Sequence, residues 1–119
     1  MRYVDGYLLA VPKKNIAAYR RMARAAGKIW REHGALEFRE CVGEDLKPKM
    51  GAPFGRATRL KRGETVMFSW IVFKSRADRD RVNGRVFKDK RMERMMRGKK
   101  MPFDPKRMYY GGFDILVDA

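Results

Sequence analysis

Glu64-Thr65-Val66-Met67-Phe68-Ser69-Trp70-Ile71-Val72-Phe73-Lys74 is apolar on both of the faces that a strand presents. Side chains alternate along a strand, so Val66, Phe68, Trp70 and Val72 share one face, and Met67, Ile71 and Phe73 the other. A sheet with one face in water reads polar on that face, and this stretch does not. Both faces therefore need cover. One layer of helices covers one of them, and the second calls for another subunit.

The flanking segments supply the rest of the plan. Upstream, Tyr3 to Val11 alternates and is rich in aromatic and aliphatic residues, which predicts a strand ended by Pro12. A helix opening at Pro12 or Asn15 follows, with Tyr19, Met22, Ala23, Ala26, Ile29, Trp30 and His33 on its inner face. Arg20, Arg21, Arg24, Lys28 and Arg31 take its solvated side, and Gly34 suits a left-handed stop. Ala35 to Leu46 reads as a second strand with Leu36, Phe38 and Glu40 on one face. Residues 47–62, with their prolines and glycines, read as a long connection carrying a short strand around Ala57–Leu60.

Downstream, Ser75 with Asp78 three positions on forms a capping signal for a second helix, with Val82, Val86 and Phe87 turned inward. Met92, Met95 and Met96 continue at core spacing from Asp89 until Gly98. Arg107 to Val117 reads as the last strand, in which Gly111-Gly112 marks a bulge or a close strand contact rather than a phosphate loop. The order is strand, helix, strand, strand, helix, strand. That predicts an α+β chain on the ferredoxin-like βαββαβ plan, one domain over residues 1–119, with an antiparallel sheet and both helices on one face.

Composition bounds the function. Twenty-nine Lys and Arg stand against 14 Asp and Glu in 119 residues, a formal charge of +15. Such a surface associates with phosphate backbones and other polyanions, and speaks to association rather than to fold. Hydrophobic residues make up 45% of the chain, enough for a core and too many for a disordered one. The single Cys41 excludes an intramolecular disulfide and a cysteine-based zinc cage. Met1 to Asp5 places an acid where a signal peptide needs apolar residues, and no stretch approaches the roughly 18 apolar residues of a membrane span. The expectation is a reduced, cytoplasmic chain.

Five ordered motifs carry a family likeness: Tyr3-Val4-Asp5-Gly6; Gly27-Lys28-Ile29-Trp30 with Glu32-His33-Gly34-Ala35-Leu36-Glu37 and Glu40-Cys41; Glu64 to Trp70; Lys74-Ser75-Arg76 with Val82-Asn83; and Met101-Pro102-Phe103-Asp104 with Lys106-Arg107-Met108 and Gly111-Gly112-Phe113. Together they resemble the YbaA-like bacterial proteins, a family of unknown function. The resemblance implies the dimeric α/β-barrel superfamily, in which two ferredoxin-like sheets pack face to face, and it implies no catalytic residues. Asp89-Lys90-Arg91 departs from the family's tendency toward Asp-Pro-Arg, and the excess of cations over the family pattern falls on expected solvent faces. Intact core motifs beneath such a coat are what surface supercharging produces.

Candidate sites follow from side-chain chemistry. Arg76, Arg79, Arg85, Lys88, Lys90, Arg91, Arg94, Arg97, Lys99 and Lys100, with Arg81 among them, form a nearly continuous band that would hold RNA or another polyanion without sequence preference. Asp78, Asp80, Asp89 and Glu93 equally make it a solvated face laced with ion pairs. His33, with Glu32 and Glu37 nearby, reads as a general base or as a residue favourable at a helix C-terminus, and the second is the stronger reading. Cys41 reads as a small buried hydrophobe before a reactive thiol.

Trp30, Phe68, Trp70, Tyr109 and Tyr110 would line the sheet, with Asp5, Glu37 and Glu40 as polar groups projecting into a cavity between sheets. His33, Glu37 and Tyr110 are thus the catalytic candidates, and no metal or cofactor site is indicated. Three classes stand: a homodimeric scaffold binding polyanions by charge, a cofactor-free small-molecule enzyme or ligand binder, and a natural RNA-binding protein.

Overall fold

The computed structural model describes residues 1–98 and 100–119. Strand β1 (Tyr3–Pro12) runs through a 3-10 turn into helix α1 (Ile16–Glu32); β2 (Glu37–Val42), a one-turn helix α2 (Phe54–Ala57) and β3 (Glu64–Phe73) follow. Helices α3 (Arg76–Lys88) and α4 (Lys90–Met96), a second 3-10 turn and β4 (Tyr109–Asp114) complete the chain. The four strands make one sheet in the order β2-β3-β1-β4, and every pair is antiparallel.

Local signals set the helix ends. At the close of α1, Gly34 takes φ 120° and the Ala35 amide donates to the Trp30 carbonyl at 3.0 Å, so the helix stops where a left-handed residue is tolerated. The Ser75 hydroxyl accepts from the Asp78 amide at 3.1 Å and starts α3. Asp89 does the same for α4, accepting from the Arg91 amide at 2.9 Å.

Register then assigns the faces. Tyr7 stands opposite both Ser69 and Tyr110, and Phe38 opposite Ile71, so Tyr3, Asp5, Leu9, Met67, Ile71 and Phe73 point toward the helices. Leu9, Val11, Phe73, Val82 and Val86 are essentially inaccessible to water, and each contributes roughly 1.5–3 kcal/mol by burial. The other face carries Val4, Leu8, Phe68, Trp70, Tyr109 and Phe113, and among the described residues only the one-turn α2 lies against it, at Phe68. The protein is accordingly a two-layer slab, 40 × 37 × 20 Å, bare on one broad side.

Several expectations are corrected. The short strand expected around Ala57–Leu60 does not form: Ala57 ends α2 and the chain turns through 58–60, because the Thr58 hydroxyl and amide close back onto the Phe54 carbonyl and Arg59 adopts φ 51°. Strand β2 ends at Val42, where Gly43 turns the chain so that Leu46 lies against it. Phe87 is exposed rather than inward, meeting only the edge of Trp30 at 5.9 Å, and Met96 is exposed beside the buried Met92. The last strand stops at Asp114, leaving Leu116 and Val117 in solvent. Gly111-Gly112 keeps regular register, so the pair is a close contact and not a bulge: a Cβ on Gly112 would lie 2.8 Å from Tyr3 Cε2. No helix among the described residues is long and apolar enough to cross a membrane.

Candidate functional site

Three regions carry groups that could do chemistry. The first is the bare sheet face. Val4, Gly6, Leu8, Phe68, Tyr109 and Phe113 frame a shallow depression of about 610 Å³. Phe68 and Phe113 keep 43% and 59% of their surface in water. Trp70 donates its indole N–H to Glu37 Oε1 at 3.1 Å, and Glu37 with Arg39 forms a polar rim at the β2 edge. At the other end, residues 43–62 lie over the face, where Phe54 meets Phe68 at 5.8 Å and Val66 is buried. No Lys or Arg occupies the bare face of β1, β3 or β4, in a chain where 29 of 119 residues are Lys or Arg.

The second region lies on the helix side of β1. Asp5 is fully buried, and burial raises its carboxyl above the usual range, opposed mainly by Arg79. Arg79 reaches from α3, giving Nη1 to the Tyr110 hydroxyl at 2.9 Å and Nη2 to the Tyr3 hydroxyl at 3.2 Å, with its guanidinium over the Tyr3 ring. Its closest approach to Asp5 is 3.8 Å, and Asp5 Oδ1 has no hydrogen-bond partner. Asn83 links this carboxylate to the Trp30 indole, which donates to Asn83 Oδ1 at 2.9 Å.

The third region is between α1 and the sheet. Glu40 projects from β2 toward α1, where Oε1 accepts from the Tyr19 hydroxyl at 2.8 Å. Burial raises the Glu40 carboxyl, with Tyr19 and Ser69 opposing the shift, and burial also raises the Tyr7 and Tyr19 phenols.

The candidates drawn from the sequence are dispersed by this geometry. His33 caps α1 and its Nε2 lies 2.8 Å from Asp89 Oδ2. Arg91 binds the same carboxylate and reaches Glu32 at 2.7 Å, which makes the cluster a brace between α1 and α4. Glu37 lies on the bare face at one edge strand. Tyr110 lies on the helix face of the opposite edge strand, stacked on Tyr7 at 5.0 Å. The three are not brought together.

The basic band divides likewise. Arg79 and Arg91 are engaged with carboxylates and phenols, and Arg81 pairs with Asp78. Arg76, Arg85, Lys88, Lys90, Arg94, Arg97 and Lys100 are exposed, and Lys99 lies outside the described residues. Cys41 is a half-buried free thiol on the bare face. Of Asp5, Glu37 and Glu40, only Glu37 points away from the helices. The Asp5–Asn83–Trp30 chain was not foreseen, although an acid amid the apolar alternation of β1 was its signal.

The family model for proteins of unknown function named DUF1428 matches residues 2–105. This chain belongs to the DUF1428 family. It is 42% identical over 118 residues to the uncharacterized protein YbaA of Escherichia coli K12, covering 99% of each chain, and equally so to that of Shigella flexneri. Among solved structures, the de novo designed protein Foldit4 is similar at a TM-score of 0.47 and 10% identity, over 96% of this chain and 98% of that one, too distant to carry an argument. The DUF1428 match covers the first three strands and the four helices, while β4 lies beyond its end and inside the YbaA alignment.

Proposed function

We propose that two copies of this chain join through their bare sheet faces as ferredoxin-like halves of a dimeric α/β barrel, leaving the cationic helices outside to bind polyanions such as RNA by charge alone. One observation carries the reading: cations are absent from the bare face of β1, β3 and β4 and dense on α1, α3 and α4. Two chains of charge +15 repel each other. The bare face, where the cation Arg39 is offset by Glu37 at the rim, is the side on which that repulsion is least and the apolar gain largest.

A standard stable interface buries roughly 800 Å² per partner, and the bare face lies on the broad side of a 40 × 37 × 20 Å molecule. Phe68, Tyr109 and Phe113 supply the aromatic anchors such interfaces use, inside a polar rim that includes Glu37 and Arg39. Outside, the exposed cations of α3 and α4 carry no base-reading arrangement, so the binding is governed by phosphate density. Operation inside the cytoplasm, where RNA is abundant, belongs to the same proposal.

The test combines light scattering on a sizing column with binding titrations of a structureless RNA and an inorganic polyphosphate at rising salt. A dimer that binds both polymers, with affinity falling steeply as salt rises, is expected. A monomer at all salt concentrations would remove the dimer, and salt-independent or absent binding would remove the polyanion role.

A further inference from the structure

The layer between α1 and the sheet is not filled. A cavity of about 130 Å³ lies there, walled by Tyr7, Tyr19, Trp30, Phe38, Glu40 and Ser69. Tyr19, Ala23, Phe38 and Glu40 also line an open groove of about 520 Å³ between α1 and β2. Those four residues are the threshold from one space to the other. Protein interiors pack to crystal-like density and leave few voids larger than water, so a hollow of this size beside the half-buried Glu40 carboxyl is unusual. An apolar cavity of about 150 Å³ holds a benzene-sized ring, and this one, slightly smaller, opens directly into the groove.

The walls and the rim specify a ligand. Inside, rings share the walls with aliphatic side chains such as Leu9 and Ile71, and Trp30 and Phe38 lie 6.0 Å from one another. Gly27 holds that wall in place, because a Cβ there would come within 2.7 Å of Phe38 Cδ1 and push the ring away from α1. At the threshold stand the Tyr19 hydroxyl and the Glu40 carboxyl, hydrogen-bonded to each other and touched by no cation among the described residues. Outside, Arg20, Arg24, Lys28 and Arg31 line the groove from successive turns of α1.

We infer that this is a binding site for a small monocyclic aromatic acid, its ring in the cavity and its carboxylate at the Tyr19–Glu40 threshold beneath the arginines. Burial favours the protonated Glu40 carboxyl, which donates a hydrogen bond to an anion that its ionised form would repel. The site lies wholly within one chain, on the side of the sheet away from the bare face, so it stands independently of the dimer.

Calorimetric titration of the intact protein with benzoate, benzyl alcohol and acetate tests the assignment. Saturable benzoate binding is expected, at least about tenfold tighter than benzyl alcohol, with no saturable response to acetate. Arg20→Gln combined with Arg24→Gln should weaken benzoate about tenfold and leave benzyl alcohol unchanged. Benzoate affinity should fall as pH rises through the Glu40 titration, and Glu40→Gln should flatten that fall. Ala23→Leu, which fills the threshold, should abolish binding, and Ala26→Leu replaces it if the first variant does not unfold cooperatively. Equal binding of benzoate and benzyl alcohol, a matching acetate response, unimpaired binding by the folded Leu variant, or no saturable binding would each overturn the site.

Discussion

Arg107 grips Glu64 through two parallel hydrogen bonds, Nη1 to Oε2 at 2.6 Å and Nη2 to Oε1 at 2.9 Å. The same guanidinium donates to the carbonyls of Thr58 and Arg59, so one side chain ties the end of the 43–62 connection to the segment entering β4. The Arg107 hydrogen bond is the main cause holding the Glu64 carboxyl below the usual range. Arg107→Ala should destabilise the fold by about 1–3 kcal/mol, since it leaves two carbonyls without this donor and the Glu64 carboxylate with only the Lys61 amide. A carboxyl lowered in the folded state stabilises above its unfolded pKa and loses that contribution as pH falls through its folded value. The stability gap between wild type and Glu64→Gln in urea should therefore be largest at neutral pH and shrink in acid.

Glu40 runs the other way. Its carboxyl is raised in the fold, so its relative stabilisation is complete below the unfolded pKa and is lost as pH rises through the folded one. Wild type should lose stability relative to Glu40→Gln between mildly acidic and neutral pH. Parallel urea midpoints at both pH values would contradict this.

Gly112 and Gly111 separate backbone need from packing. A Cβ on Gly112 would meet the Tyr3 ring at 2.8 Å, whereas one on Gly111 would meet only the edge of Phe113 at 3.3 Å. Gly112→Ala should cost about 1–3 kcal/mol by overpacking, and Gly111→Ala clearly less. Thermal unfolding of the two variants side by side decides it.

The proposed dimer and the proposed polyanion binding depend on salt with opposite signs. Screening relieves the repulsion between two copies, so added salt should tighten the dimer while loosening RNA. Phe68→Lys, which places a cation on the bare face, should yield a folded monomer. Arg85→Gln with Arg94→Gln and Arg97→Gln should leave the dimer intact and reduce the RNA salt slope by up to about 0.7 per lost phosphate contact. Sedimentation and titration on the same preparations separate the two effects.

The alternating and helical periods disclosed the fold because they report burial directly. Strand β3 shows this best: Met67, Ile71 and Phe73 point inward as the alternation requires, while Phe68 stays partly exposed on the other face. The failures occurred where neighbours, rather than period, decide the outcome. Residues 57–60 carry β-compatible residues, but the hydroxyl of Thr58 returns to the carbonyl of Phe54 and curls the chain. Phe87 follows the inner stripe of α3 by spacing, yet it stays exposed, its ring perpendicular to that of Trp30.

The sites were less legible for the same reason. Tyr19 and Glu40 are 21 positions apart and meet only because α1 lies across β2. Arg79 stands among ten exposed-looking cations in the sequence, and only the fold turns it toward Asp5.

The 43–62 segment, lying over one end of the bare face with Phe54 against Phe68, has an evolutionary consequence. Connections tolerate insertion and deletion far better than strands do. Lengthening this one would roof more of the sheet, and trimming it would bare Val66. Divergence in this stretch would thus retune the proposed dimer while leaving the strand register untouched.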